Sequence, residues 1–366
     1  MLFEALRPIL DHVGSEDAHV FARNALHFAQ SFGPVLQIAN FKGSRYVDPR
    51  LNTHLGSHML ENPVIVAAGW DKPGEAVQAW HELGCAGVEV GTVTQYPQYG
   101  NPQPRQFPAR SNDGVVLNRL GFNGPGMEVV AHNLSRYPDD ISIGVSVGKN
   151  KDVSVADAPE AHARVVGRLY DRASYYAINV SSPNTPGLRH LQARGPLTDI
   201  IQAVNQTMDM HGGRKPLFVK IAPDGMDDTM LDTIIDTVDQ TGATGIIAAN
   251  TTIDPELKSK YGWDGQPGGI SGDDPTYRQR TTSIIRNIYT RTGGRMPIIG
   301  VGGVNSASAA LEKIAAGASA VQIMTAIRQV GPTLPGRITR GIASYMQSTG
   351  ATSMSDIIGS EARRRN

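Results

Sequence analysis

Tyr176-Ala-Ile-Asn-Val-Ser-Ser-Pro-Asn-Thr-Pro-Gly-Leu-Arg-His-Leu-Gln192 opens as an apolar strand and closes as a stiff polar turn. The strand delivers Asn179, Ser181, Ser182, Asn184 and Thr185 to its C-terminal end. Pro183 and Pro186 lack a backbone N–H and fix φ, so the turn cannot extend a sheet. Polar groups on a rigid turn suit a site that holds a small polar molecule in one pose. Asn, Ser and Pro also build ordinary turns, so the reading depends on whether other strands end the same way.

They do. Residues 64–68, 87–93, 143–148, 176–181, 217–222, 245–250, 297–303 and 320–325 are short, largely apolar segments. Between them lies enough chain for crossover helices, including residues 74–83, 158–170, 227–240 and 306–316. Short buried strands alternating with helices imply a parallel sheet, and eight βα units predict an α/β fold, the (β/α)8 TIM barrel. Such a barrel gathers functional groups at the C-terminal ends of its strands. Here the first strand runs into Ala67-Ala-Gly-Trp-Asp-Lys72 and the second into Gly91-Thr92. The fifth carries Lys220, the sixth ends in Asn250-Thr-Thr252, the seventh in Gly300-Val-Gly-Gly303 and the eighth in Met324-Thr325. Residues 94–126 and 253–279 interrupt the pattern and carry Asn118-Arg-Leu-Gly-Phe122 and Gly268-Gly-Ile-Ser-Gly272. The first is expected to be hairpin-like, and loops of this length are commonly lids or binding loops.

Residues 1–45 read as a helical extension to a barrel domain spanning 46–366. Leu2, Ala5, Leu6, Ile9, Leu10 and Val13 fall on one face of a helix. A second helix is expected from Ser15 as N-cap, with Glu16 and Asp17 in its first turn and an apolar stripe from Ala18 to Phe32. Such a pair either packs on its own domain or lies at a membrane surface and guides an apolar molecule.

Lys plus Arg equals Asp plus Glu, so the formal charge is zero and nothing favours nucleic acid. Any anion must be held by a local site. The single cysteine, Cys85, excludes an intrachain disulfide framework and a cysteine-rich metal centre, and its apolar setting suits a buried small side chain. His54 and His58 are separated by Gly56 and followed by no acidic ligand, so no metal is expected. No apolar run reaches the roughly 20 residues of a membrane span, and no signal peptide is expected.

Gly300-Val-Gly-Gly-Val304 with Thr325 reads as a phosphate grip, because loops after the last two strands of a barrel often make one. Lys220 interrupts an apolar strand; a buried ammonium there faces an anion or an electron-rich ring, unless it reaches water at the strand tip. Lys72 is a second cation at the mouth, suited to a carboxylate. Ser182 has no Gly-x-Ser-x-Gly elbow, which argues against a hydrolase. As a base, a serine needs a relay for its proton, and Thr185 or a water it holds is the candidate.

Taken together, these segments resemble the quinone-dependent (class 2) dihydroorotate dehydrogenase family. The resemblance covers nearly the whole chain and rests on Asn62-Pro-Val-Ile-Val-Ala-Ala-Gly-Trp-Asp-Lys72, Glu89-Val-Gly-Thr-Val93, Gly100-Asn-Pro-Gln-Pro-Arg105 and Asn118-Arg-Leu-Gly-Phe-Asn123. Residues 179–189, Val219-Lys-Ile-Ala-Pro-Asp224, Asn250-Thr-Thr252, residues 268–272 and residues 297–303 add to it. It implies FMN as cofactor, oxidation of dihydroorotate to orotate in pyrimidine biosynthesis, and a membrane quinone as electron acceptor. Ser182 would take the C5 proton while the C6 hydride passes to flavin N5. The class 1 enzymes place cysteine at that position; serine and the helical extension point to class 2.

By the resemblance, orotate would be held by Lys72, Asn118, Arg119, Leu120, Gly121, Phe122, Asn179, Asn184, Asn250 and Thr251. FMN would be held by Ala67, Ala68, Gly69, Lys72, Thr92, Ser146, Asn179, Lys220, Ala249, Gly272, Gly303, Met324 and Thr325. His19 and Arg105 would line the quinone tunnel. The protein would sit peripherally on the cytoplasmic face of the cell membrane, as a monomer or weak homo-oligomer. Three positions depart from the family pattern, which has asparagine at Ser146, threonine at Ala249 and tyrosine at Met324. FMN binding is therefore expected to be weaker or shifted in potential. Two other readings are an FMN barrel acting on a different pyrimidine and a flavin-poor orotate-binding protein.

Overall fold

A computed structural model describes residues 14–31, 45–111 and 114–365. Among the described residues thirteen strands follow in chain order: β1 Thr53–Leu55, β2 His58–Leu60, β3 Val64–Val66, β4 Gly87–Val93, β5 Gln106–Pro108, β6 Val115–Asn118 and β7 Ser142–Val147. Then come β8 Tyr175–Asn179, β9 Leu217–Ile221, β10 Gly245–Ala248, β11 Gly269–Gly272, β12 Ile298–Val301 and β13 Ala320–Ile323. Strands β3, β4, β7, β8, β9, β10, β12 and β13 close a parallel barrel, sealed where Val321, Gln322 and Ile323 pair with Val64, Ile65 and Val66. All eight segments expected from the sequence are barrel strands.

The barrel closes because each strand alternates between two apolar environments. Val64, Val66, Val219, Ile221, Ile246, Ile298, Val321 and Ile323 pack outward under the helices. Ile65, Phe218, Ile247, Ile299 and Ala320 point inward, where Leu55 and Leu60 of the β1–β2 hairpin join them and plug the N-terminal end. The side-chain period of two puts Lys220 two residues beyond Phe218 and Gln322 two beyond Ala320, so both project into the interior above that plug. Helices between the strands bury an apolar stripe against them; Ala307–Ala316, for example, is capped by Ser306, whose Oγ accepts from the Ala309 N–H at 3.2 Å. Cys85 is fully buried, as its apolar setting implied.

Two features differ from expectation. The first excursion does form the expected hairpin, β5 with β6 antiparallel, but the second joins it: β11 pairs antiparallel with β6, giving one three-stranded sheet over the barrel mouth. Register sets Gly269 opposite Asn118 and Gly272 opposite Val115. A Cβ on Gly272 would lie 1.9 Å from the Gly114 carbonyl oxygen, so only glycine allows this approach. The second difference lies at the N-terminal helix, Ser15–Gln30. Its N-cap is Gly14, and Ser15 is already helical with its hydroxyl donating to Gln106 Oε1 at 3.3 Å. Glu16 and Asp17 do occupy the first turn. The helix expected before it, with its stripe from Leu2 to Val13, and the end of the second stripe at Phe32 lie outside the described residues.

Candidate active site

A single cavity of about 840 Å³ runs from the barrel mouth to the inner face of helix Ser15–Gln30. Its floor is built from strand interiors. Lys220 and Glu89 are buried with Nζ and Oε1 3.6 Å apart. Lys220 Nζ also donates to Gln322 Oε1 at 3.4 Å, while Gln322 Nε2 and the Tyr175 hydroxyl donate to Glu89 Oε2 at 2.6 and 3.2 Å. Burial and the Glu89 charge push the Tyr175 phenol well above its ordinary value, which keeps it a hydrogen-bond donor. Lys220 therefore faces an acid below and the cavity above. The strand-tip alternative, a lysine reaching water, does not hold, because the side chain is only 6% exposed. Glu89 and Gln322 were missed in the sequence, although each breaks an apolar strand just as Lys220 does.

One wall is a ring of amides fastened to one another. Asn179 Nδ2 donates to Thr92 Oγ1 at 2.8 Å, and its Oδ1 accepts from Ser181 Oγ at 2.9 Å. Asn250 Nδ2 donates to the same Ser181 hydroxyl at 2.8 Å, and its Oδ1 accepts from the Thr251 N–H at 2.8 Å. Asn184 Nδ2 reaches the Asn118 carbonyl at 3.3 Å, which ties the stiff turn to the insertion sheet. Arg189 fastens this wall from outside: Nε donates to the Ser181 carbonyl at 3.1 Å, Nη2 to the Thr251 carbonyl at 3.3 Å, and Nη1 pairs with Asp224 at 3.1 Å. Such locking restricts each amide to one orientation, the condition for reading a small ring by its edges. Ser182 is buried beside the ring, and its Oγ accepts from the Asn184 N–H at 3.2 Å. Thr251 Oγ1 is buried on the cavity wall with no hydrogen-bond partner among the described residues. The hydroxyl packs against Gly269, where an added Cβ would lie 2.0 Å from it, so Thr251 meets the cavity with the rest of the residue.

The opposite wall is glycine-rich. Gly302 and Gly303 have φ of 104° and 69°, open to glycine and rare for other residues, and they line the cavity with Gly272 and Thr325. The Thr325 hydroxyl lies 2.9 Å from that of Ser271, a residue the sequence reading passed over beside Gly272.

Ala67, Ala68, Gly69, Lys72, Thr92, Asn118, Leu120, Gly121, Phe122, Asn179, Ser182, Asn184, Lys220, Ala249, Asn250, Thr251, Gly272, Gly303, Met324 and Thr325 all line this cavity, and so does His19. Arg119, Ser146 and Arg105 do not. The Arg119 guanidinium turns outward to the Pro104 carbonyl at 3.0 Å and lies 4.7 Å from the centre of the Phe107 ring, because successive residues leaving β6 face opposite ways. Ser146 stands behind Thr92, hydroxyl to hydroxyl at 3.0 Å, and is fully buried. Arg105 is a brace: its Nε and Nη2 grip Glu16 at 2.8 and 2.6 Å, and Nη1 holds backbone carbonyls of its own loop.

Around Lys72 the electrostatics are unusual. Its ammonium donates to Asn123 Oδ1, and enclosure together with the Arg105 charge pulls it down to about 7. Nearby, His19 Nε2 lies 2.6 Å from the Trp70 carbonyl oxygen, and burial lowers the imidazole to about 4. Donation from Nε2 in the neutral tautomer accounts for that contact. Helix Ser15–Gln30 is held further by Arg23 to Glu75 at 3.2 Å and by His27 Nδ1 at 2.7 Å from the Glu75 carbonyl oxygen. Between these anchors Ala18, Ala22, Ala25, Leu26 and Ala29 give the cavity an apolar outer end, while Phe21 and Phe28 are 60% and 62% exposed. No helix among the described residues is long and apolar enough to cross a membrane.

Comparison with known proteins accords with this geometry. Residues 50–346 match the family model described as dihydroorotate dehydrogenase. The dihydroorotate dehydrogenase (quinone) of Halobacterium salinarum is 37% identical over 361 residues, covering 98% of this chain and 100% of its own. That of Gloeobacter violaceus is 40% identical over 354 residues, covering 95% and 96%. The crystal structure of the Eimeria tenella DHODH in complex with ferulenol superposes with a TM-score of 0.81 at 33% identity, over 90% of this chain and 94% of that one. The stiff turn, the amide ring and the helix across the mouth thus belong to a chain that is a member of the dihydroorotate dehydrogenase family, in its quinone-dependent branch.

Proposed function

We propose that this protein oxidises dihydroorotate to orotate for pyrimidine biosynthesis, holds FMN as its cofactor and passes the electrons to a membrane quinone. The observation that carries the reading is the continuity of one cavity from Ser182 and the amide ring, past Lys220 and Gly303, to the apolar face of helix Ser15–Gln30. Members of the family are flavoenzymes. The residues present fit FMN: a buried cation on the floor, the Gly302–Gly303 turn and the hydroxyls of Thr325 and Ser271 for a phosphate. FMN supplies the acceptor for the hydride that leaves C6 of the substrate.

Everything else is done by the chain. Asn118, Asn179, Asn184 and Asn250 present donors and acceptors to the imide edges of the ring, with Thr251 beside them on the cavity wall. Lys72 takes the substrate carboxylate. Ser182 Oγ, oriented by the Asn184 N–H, receives the C5 proton, and buried Thr185 starts its way out. Ala249 and Met324 offer no comparable side-chain hydrogen bond, so FMN is held less tightly than a threonine–tyrosine pair would allow. The apolar end of the cavity admits the quinone, and the exposed Phe21 and Phe28 rest on the membrane surface, so residues 1–45 act as the membrane and quinone-access segment of the barrel.

The deciding experiment is anaerobic. Dihydroorotate added to the purified protein bleaches the flavin absorbance, and an added quinone restores it where fumarate and NAD do not. Bound flavin that stays oxidised under dihydroorotate would sink the assignment.

Lys72 gives this reading a pH signature. Only the ammonium form pairs with a carboxylate, and in the free protein that form is lost as pH rises through about 7. Orotate affinity is expected to weaken by about tenfold per pH unit above that point. Orotate titrations from about pH 6 to about pH 9 check it, with Lys72→Met binding weakly and without the slope. A wild-type profile as flat as the variant's would contradict the role.

A further inference from the structure

Lys313 is fully buried on helix Ala307–Ala316, outside the barrel wall and away from the cavity lining. Its Nζ donates to two neutral groups, Thr281 Oγ1 at 2.8 Å and Thr282 Oγ1 at 3.3 Å. The adjacent Glu312 accepts from the same Thr282 hydroxyl at 2.9 Å and pairs with Arg278 Nε at 3.4 Å, so it reaches Lys313 through Thr282 and shares its charge with Arg278. A lysine sunk among apolar side chains and hydroxyls is an expensive choice for packing alone. Burial pulls its ammonium down to about 7, the direction expected for a cation taken out of water.

Its surroundings say what it faces. The lysine stem passes under the end of β12, where a Cβ on Gly300 would lie 3.2 Å from Lys313 Cδ. The Thr281 hydroxyl it holds is pressed against the next turn, where a Cβ on Gly302 would lie 3.0 Å from Thr281 Oγ1. The other side of that turn, Gly302 and Gly303, lines the cavity. Lys313 therefore places a cation directly behind the glycine turn, separated from the cavity by one thickness of backbone and linked to it by one hydroxyl.

We propose that Lys313 is a positioning residue for the phosphate of the flavin, holding Thr281 against the Gly302–Gly303 turn and balancing the phosphate charge through it. The inference rests on FMN being the cofactor. A dianion drawn to this turn adds, on the Thr281 side, to the counter-charge that Glu312 supplies from beyond Thr282 and shares with Arg278. At such separation in a partly dry site the interaction is worth about ten- to a hundredfold in affinity.

The test compares FMN with riboflavin, which lacks the phosphate, on the full chain freed of flavin. Each is titrated by quenching of flavin fluorescence into wild type, Lys313→Met and Thr281→Val. In Lys313→Met, FMN binding is expected to weaken by about tenfold or more while riboflavin binding stays unchanged. Thr281→Val, close in volume and keeping the lysine, is expected to lose part of the FMN preference. It is scored in the same way if Lys313→Met does not fold. FMN and riboflavin weakening in step, or neither changing, would overturn the role. A wild type that binds riboflavin as tightly as FMN would overturn the cofactor reading itself, and that outcome is read before any variant.

Discussion

Ser182→Ala is expected to slow flavin bleaching by dihydroorotate by about a hundred- to ten-thousandfold, the range supplied by a positioned general base. The loss should fall on the rate of the half-reaction rather than on orotate affinity, because the amide ring is fastened independently of Ser182. Asn179 and Asn250 are locked by Ser181 and Thr92, and Asn184 by Asn118. Ser182 Oγ contributes to that network only by accepting the Asn184 N–H. Ser182→Cys separates base chemistry from packing: a thiol titrates near 8.5 where a serine hydroxyl does not, so activity should return with a pH profile shifted downward. Stopped-flow bleaching under anaerobic conditions measures both variants. A Ser182→Ala rate within about threefold of wild type would remove the serine from the chemistry.

The second large effect is expected at Lys220. Lys220→Met removes the cation from a floor where Glu89 is fully buried, and leaves that carboxylate with donors from Tyr175 and Gln322 but no opposite charge. Stranding one partner of a buried ion pair costs about 3–5 kcal/mol. The melting temperature should therefore fall by on the order of 10 °C, together with loss of flavin. The double variant Lys220→Met/Glu89→Gln tells stability from function. Glutamine can accept the Tyr175 hydrogen bond without a charge, so thermal stability should largely return while flavin binding and turnover do not. Recovery of both would mean that Lys220 serves only to neutralise Glu89. Calorimetry on the two variants, with flavin content measured alongside, decides between these outcomes.

The positions that lie off the cavity lining, and those the sequence reading passed over, follow a common logic. Lys220 could be read from its strand because a charge in an apolar run has to be explained. Glu89 and Gln322 carried the same signal, and applying it evenly along the barrel would have found the whole polar floor. Arg105 and Arg119 stand in motifs that the resemblance covers, yet one braces helix Ser15–Gln30 through Glu16 and the other packs on Phe107. Motif position fixes the backbone neighbourhood; the direction of a long flexible side chain is settled by which acid or ring lies within reach. Ser146 illustrates the shorter case: its hydroxyl ends at Thr92 and so meets the cavity only through that residue.

By itself the sequence determined the eight strands, the barrel they form and the end of it that carries the polar groups. These depend on local alternation, and a two-residue period assigns every strand residue to the interior or the helix side. Only the tertiary structure decided the pairing of the two insertions through β6 and β11, the seating of helix Ser15–Gln30 across the mouth, and the partners of Lys220 and Lys313. Those contacts join segments far apart in the chain. They are chosen by closure, packing and the need to satisfy buried polar groups, which no local pattern records.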